Sequence, residues 1–241
     1  MKHLKLNHIC PVNKKSDDVM PFRQMNPPPY EWNVKVDAVY RILDNKRYLN
    51  QFFADGSILV STLERMKKYD NEMRGDPGEG TGILGTLDIK GPSHLYLYDT
   101  TTNAYVLCTT SVLSEAVIKD FKGVGAIKIN DPTHFGLCIA ARLPEVLSGC
   151  EGHCDYVEHR NDMLDPNSPA SRSLSTAPSD EYKSLQQEFR SMTPGTEGFR
   201  KLMKHAHQRE YRFLWFTSRV QHEARIIRCP EAIEHCTRID C

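Results

Sequence analysis

The segment Gln208-Arg209-Glu210-Tyr211-Arg212-Phe213-Leu214-Trp215-Phe216 constrains this chain more than any other. An acid flanked by two arginines leads directly into an aromatic and aliphatic run with the composition of a buried strand. Charges at the mouth of such a strand are costly unless paired or used, so they mark a place to look for a site. A distant stretch has a similar character: Gly56-Ser57-Ile58-Leu59-Val60-Ser61-Thr62, followed by Arg74-Gly75-Asp76-Pro77-Gly78-Glu79-Gly80.

At 241 residues the chain is long enough for a full core, and one domain with an appended arm is the expectation. Thirty-one basic residues balance thirty-one acidic ones, so no global field draws it to nucleic acid or membrane. A local basic patch is compatible with that balance. No run approaches the roughly 18 apolar residues of a membrane span, and Met1 to His8 has charge with no apolar core behind it, unlike a secretory signal. The eight cysteines are scattered, and Cys108 and Cys138 lie inside apolar runs as reduced thiols do. A cytoplasmic protein is expected.

Residues 1–35 read as an extended arm, stiffened by Pro27-Pro28-Pro29. Residues 36–241 read as a single domain with a flexible insertion, polar and proline-rich, at 161–180. Strands are expected at 39–43, 57–61, 125–129, 155–158, 209–216 and 224–228. A hairpin is expected to join 95–98 to 105–109. Helices are expected at 45–53, 63–69 and 114–121, after Asp131-Pro132, and at 182–190 and 198–205. This irregular alternation predicts an α+β fold.

Several candidate sites carry little information. The glycine loop 74–82 has no Walker lysine and does not fit a dinucleotide fingerprint; it reads as a turn, or as backbone approaching a ligand with Arg74 facing a phosphate. Cys150-Glu151-Gly152-His153-Cys154 lacks the paired spacing of a zinc site, and no metal is expected. A serine-hydrolase elbow is missing. His205 and His207, just before Glu210, have the spacing of a nuclease-like pair on one strand face. There remain Arg41, the Ser61-Thr62 pair and Glu210, each on or beside a predicted strand.

Arginine on the first core strand, Ser-Thr at the end of the next and glutamate on a late strand resemble the layout of ADP-ribosyltransferases. Phe53 to Ser61, Val106 to Ser111 and Gln208 to Phe213 also resemble bacterial domains carried by toxin and phage-defence loci. The resemblance spans roughly residues 38–228. It implies an ADP-ribosyltransferase-like split, mixed or antiparallel sheet flanked by helices. The chain departs from the cholera and diphtheria patterns, with no Glu-x-Glu before the last strands, and Thr109-Thr110-Ser111 competes with Ser61-Thr62 for the central motif.

What the resemblance implies is NAD-dependent transfer to a nucleic acid, RNA favoured over DNA, by a toxin held in check by an antitoxin or chaperone. Glu210 and Arg41 would be catalytic. Arg41, Ser61, Thr62, Arg74 and Tyr211 would bind NAD, with Tyr40 as an alternative stacking residue. Arg200, Lys201, Lys204, Arg209, Arg225 and Arg228 would track a phosphate backbone, or else form solvated faces. A non-enzymatic binding module, in which Arg209, Glu210 and Arg212 form a structural ion network, and a histidine nuclease stand as alternatives.

Overall fold

The computed structural model describes residues 37–68, 77–78, 80–86, 94–99, 103–164 and 196–241. The arm 1–35, Arg74, the predicted helix 182–190 and residues 165–180 of the predicted insertion lie outside the described residues. Eight strands form the main sheet: β1 (Val39–Leu43), β2 (Ser57–Thr62), β5 (Ala104–Thr110), β6 (Gly125–Ile129), β7 (Val146–His153), β11 (Glu210–Thr217), β12 (Arg225–Arg228) and β13 (Cys236–Asp240). Every pairing within it is antiparallel. A second sheet joins β3 (Thr81–Thr86) to β4 (His94–Asp99) and, in parallel, to β9 (Asn161–Leu164). The short strands β8 (Asp155–Val157) and β10 (Arg200–Leu202) pair in parallel. The class is α+β.

Helix ends follow the capping residues. Asn45 caps α1 (Lys46–Asp55), Thr62 caps α2 (Leu63–Lys67), Ser114 caps α3 (Glu115–Asp120) and Asp131 caps α4 (Pro132–Arg142), each side chain accepting from a backbone N–H of the first turn. Helix α1 stops at Gly56, whose φ of 76° is left-handed and whose N–H returns to the Phe52 carbonyl at 2.7 Å.

The main sheet is forked. Strand β11 runs along one edge of β5 from Ala104 to Thr110, so the other edge must serve both remaining partners. Strand β2 takes Tyr105 and Val106, β1 takes Thr110, and Leu107 to Thr109 lie in the crotch between them. One branch continues from β2 to β12, the other from β1 through β6 to β13. A core that includes Phe52, Leu107, Ile127, Phe135, Phe213 and Trp215 fills one face. A smaller one, with Leu63, Met66, Val106, Phe199, Leu214 and Phe216, fills the other.

Some expectations are corrected. Strand β4 does not pair with β5; it pairs with β3, while β5 is central to the main sheet. A strand–turn–strand composition says nothing of which partner each strand finds. Residues 198–205 form no continuous helix: strand β10 separates two short 3₁₀ helices, Thr196–Phe199 and Met203–Gln208. Their apolar spacing is helix-like, but Phe199 fills the second core and Lys201 points inward to a carboxylate. The predicted insertion begins as ordered strand β9.

Strand β7 covers residues read as a thiol and imidazole cluster. Its alternation sends Cys150 to the second core and Glu151 to the opposite face, against α4. Among the described residues no three His, Cys, Asp or Glu side chains are grouped to hold a metal, and no helix is long and apolar enough to cross a membrane. Glu151 accepts from the Thr133 hydroxyl, while its Oε2 is buried without a hydrogen-bond partner among the described residues. Burial pushes its carboxyl up to about 7, against an ordinary value of 4.5. The folded chain therefore holds a proton that the unfolded chain has already released. Stability from this group is complete below about pH 4.5 and is lost as pH rises through about 7. The shift corresponds to roughly 3 kcal/mol, so Glu151→Gln should flatten the decline in urea stability between pH 5 and 8. An unchanged pH profile in the variant would refute this assignment.

Candidate active site

A cavity of about 310 Å³ opens at the fork, lined by residues of β1, β2, β5, β10 and β11. Arg41, Ser61 and Glu210 all line it, joined by Tyr40, Thr110, Lys201, Gln208 and Arg212. Register explains the assembly. Tyr40 and Glu210 are both opposite Thr110, Arg212 is opposite Cys108, and Ser61 and Leu214 are opposite Val106. One face thus collects Tyr40, Ser61, Thr110, Glu210 and Arg212 from four strands, while Arg41, of opposite parity to Tyr40, enters through the crotch of the fork toward the Cys108 carbonyl.

Glu210 begins a strand whose eight residues are all buried, so its charge needs compensation. Arg212 Nε donates to one carboxylate oxygen at 2.5 Å and Lys201 Nζ donates to the other. Lys201 also donates to Gln208 Oε1 at 2.7 Å, and Arg212 Nη1 donates to the Gly198 carbonyl at 2.6 Å. Burial alone would raise the Glu210 pKa, but the Arg212 guanidinium and then the Lys201 ammonium overcome it. They hold the carboxyl well below the usual carboxylate range. Glu210 is a fixed anion.

Arg41 Nη1 donates to the Cys108 carbonyl at 2.7 Å, a group in the crotch of the fork. Ser61, nearly buried, places its hydroxyl 3.4 Å from the Thr62 carbonyl. The rival motif has a different task. The hydroxyls of Thr109, Thr110 and Ser111 donate to the carbonyls of Tyr211, Gln208 and Arg209 at 2.7, 2.7 and 3.1 Å. They clamp the segment around Glu210, including Arg209, whose φ of 43° is left-handed. The Tyr156 hydroxyl accepts from the Glu210 N–H at 2.7 Å.

Other predicted residues lie elsewhere. Thr62 does not line the cavity: it is a buried N-cap, accepting from Arg65 N at 3.2 Å. Tyr211 points to the opposite face, its ring 5.1 Å from His153 and 5.5 Å from Phe213, because neighbours on a strand face opposite ways. Tyr40 is the tyrosine that lines the cavity. The predicted basic cluster is divided: Lys201 is buried, Arg228 pairs with Asp55 at 2.9 Å and Arg225 donates to the Tyr105 hydroxyl. His205 and His207 lie on a 3₁₀ segment, the first buried and the second bonded to Asp120 at 2.6 Å, so they share no strand face. Lys201, expected to track a phosphate backbone, instead turns inward to Glu210, because a charge pattern alone does not distinguish a buried partner from a surface lysine.

Compared with models of known families, curated proteins and solved structures, the chain matches none.

Proposed function

We propose that this chain is an NAD-dependent ADP-ribosyltransferase that modifies a base of a nucleic acid. The observation that carries the reading is that Arg41, Ser61 and Glu210, from three distant strands, line one cavity at the fork. Loss of nicotinamide from the anomeric carbon of NAD passes through an oxocarbenium-like state, and the pyridinium leaves as neutral nicotinamide without acid assistance. The reaction needs a negative charge near the sugar and a held pyrophosphate.

Glu210 supplies the charge. Kept ionised by two cations, it is a poor proton acceptor, so its role is electrostatic rather than that of a base: as the acceptor nitrogen bonds the anomeric carbon and nicotinamide leaves, the acceptor's proton passes to water. Arg41 faces the pyrophosphate, Ser61 the nicotinamide ribose and Tyr40 the nicotinamide ring. Exposed Lys204 and Arg209, bordering the Lys201–Glu210 segment, suit the backbone of an RNA acceptor, favoured over DNA by the resemblance alone. The same resemblance supports a toxin neutralised by an antitoxin or chaperone.

One observation favours a second reading, a binding module without chemistry: the Lys201–Glu210–Arg212 network is closed within the chain. Incubation with NAD labelled in its adenylate half, plus mixed RNA and DNA, separates the two. Label should pass to nucleic acid, and Glu210→Gln should lower transfer by about 10²–10³-fold and relieve any growth arrest on expression. Binding without transfer would leave the module. Cleavage without NAD would mark a nuclease, and full transfer by the variant would remove Glu210 from the chemistry.

A further inference from the structure

We infer that the outer edge of β12 accepts an acidic, extended peptide segment as an added strand, an interaction independent of the chemistry proposed for the cavity. Strand β12 ends the sheet, and among the described residues it pairs with β2 alone. Cys229 N–H donates to the Gly56 carbonyl at 3.0 Å in continuation of that register. In an antiparallel ladder the bonding residues alternate, so Ile227 and Arg225 also turn toward β2. The N–H and C=O groups of Ile226 and Arg228 then point outward. An incoming strand meets a donor and an acceptor at each.

Charge selects the occupant. A groove of about 610 Å³ along this edge is lined by Arg142, Arg225 and Arg228, with Pro144 and no carboxylate among its lining residues. Two of the guanidiniums have carboxylate partners beyond the lining, Glu231 for Arg142 and Asp55 for Arg228, while Arg225 is held by the neutral Tyr105 hydroxyl. One positive charge remains uncompensated. A second copy pairing edge to edge would oppose these arginines to themselves, which disfavours it. Nucleic acid would use the guanidiniums, but its phosphates only accept and would leave the outward carbonyls unmatched.

Ile226, 73% exposed, lies opposite Leu59, 37% exposed, and the pair offers an apolar seat to alternate side chains of an added strand. The same two residues line the rim of the cavity at the fork, so an occupant of this edge abuts its mouth. The surface suits a regulator that covers the site from one side.

The probe is a blocked seven-residue peptide of alternating Glu and Val, compared with its Lys and Val counterpart, on the full chain. Fluorescence anisotropy should show binding of the acidic peptide only. Amide exchange should slow at Ile226 and Arg228. Ile226→Pro, which removes one outward donor, and Arg228→Glu, which reverses a charge of the groove and gives up the exposed pair with Asp55, should each weaken binding about tenfold or more. Equal binding of the lysine peptide, protection away from β12, or unchanged affinity in Arg228→Glu would overturn the inference. So would protection conferred by a single-stranded RNA octamer instead, or by self-association of the chain.

Discussion

Arg212→Met should cost the fold about 3–5 kcal/mol, read as a lower urea midpoint at unchanged slope. The reason is the carboxylate left behind: Arg212 is 1% exposed and Glu210 4%, so the abandoned charge would stay largely withdrawn from bulk solvent. Lys201→Met should act in the same direction through the other oxygen. Replacing all three residues with apolar ones of similar volume should restore much of the lost stability, since the cost lies in breaking the network rather than in lacking it. A loss below about 1 kcal/mol for Arg212→Met would mean that Glu210 is not held as described.

Gly56→Ala should be almost as damaging, at roughly 2–5 kcal/mol, seen as a Tm lower by about 5–15 °C. A methyl on Gly56 would stand 2.2 Å from the backbone carbon and oxygen of Cys229, and its φ of 76° disfavours any other residue. Backbone, unlike a side chain, cannot swing aside. A variant with unchanged Tm would show that the contact between α1 and the start of the 230–235 segment is looser than drawn here.

Much of the fold could be read locally. Asn45, Ser114 and Asp131 announce their helices by capping chemistry, and alternation or apolar runs announce β1, β2, β6 and β11. Arg41, Ser61 and Glu210 stand out because polar groups on apolar strands must be compensated. Pairing was less legible. The partner of β4, the strand character of Val146–His153 within a cysteine- and glycine-bearing stretch, and β13 all depend on contacts across long separations. The clamp from Thr109 to Ser111 likewise exists only once the register of β5 against β11 is set. Tyr211 is a different case: adjacent to Glu210 on a strand, it could not share that residue's face, and strand parity alone decides the matter.

The two branches that leave β5 on the same side have no ladder joining them at Leu107 to Thr109. Splaying them therefore ruptures no rung of either pairing. What ties the branches together is the apolar core beneath them, which takes Val39 and Ile127 from one and Ile58 and Ile227 from the other, with Phe52 of α1 between. The width of the cleft is thus set by side-chain packing rather than by backbone hydrogen bonding.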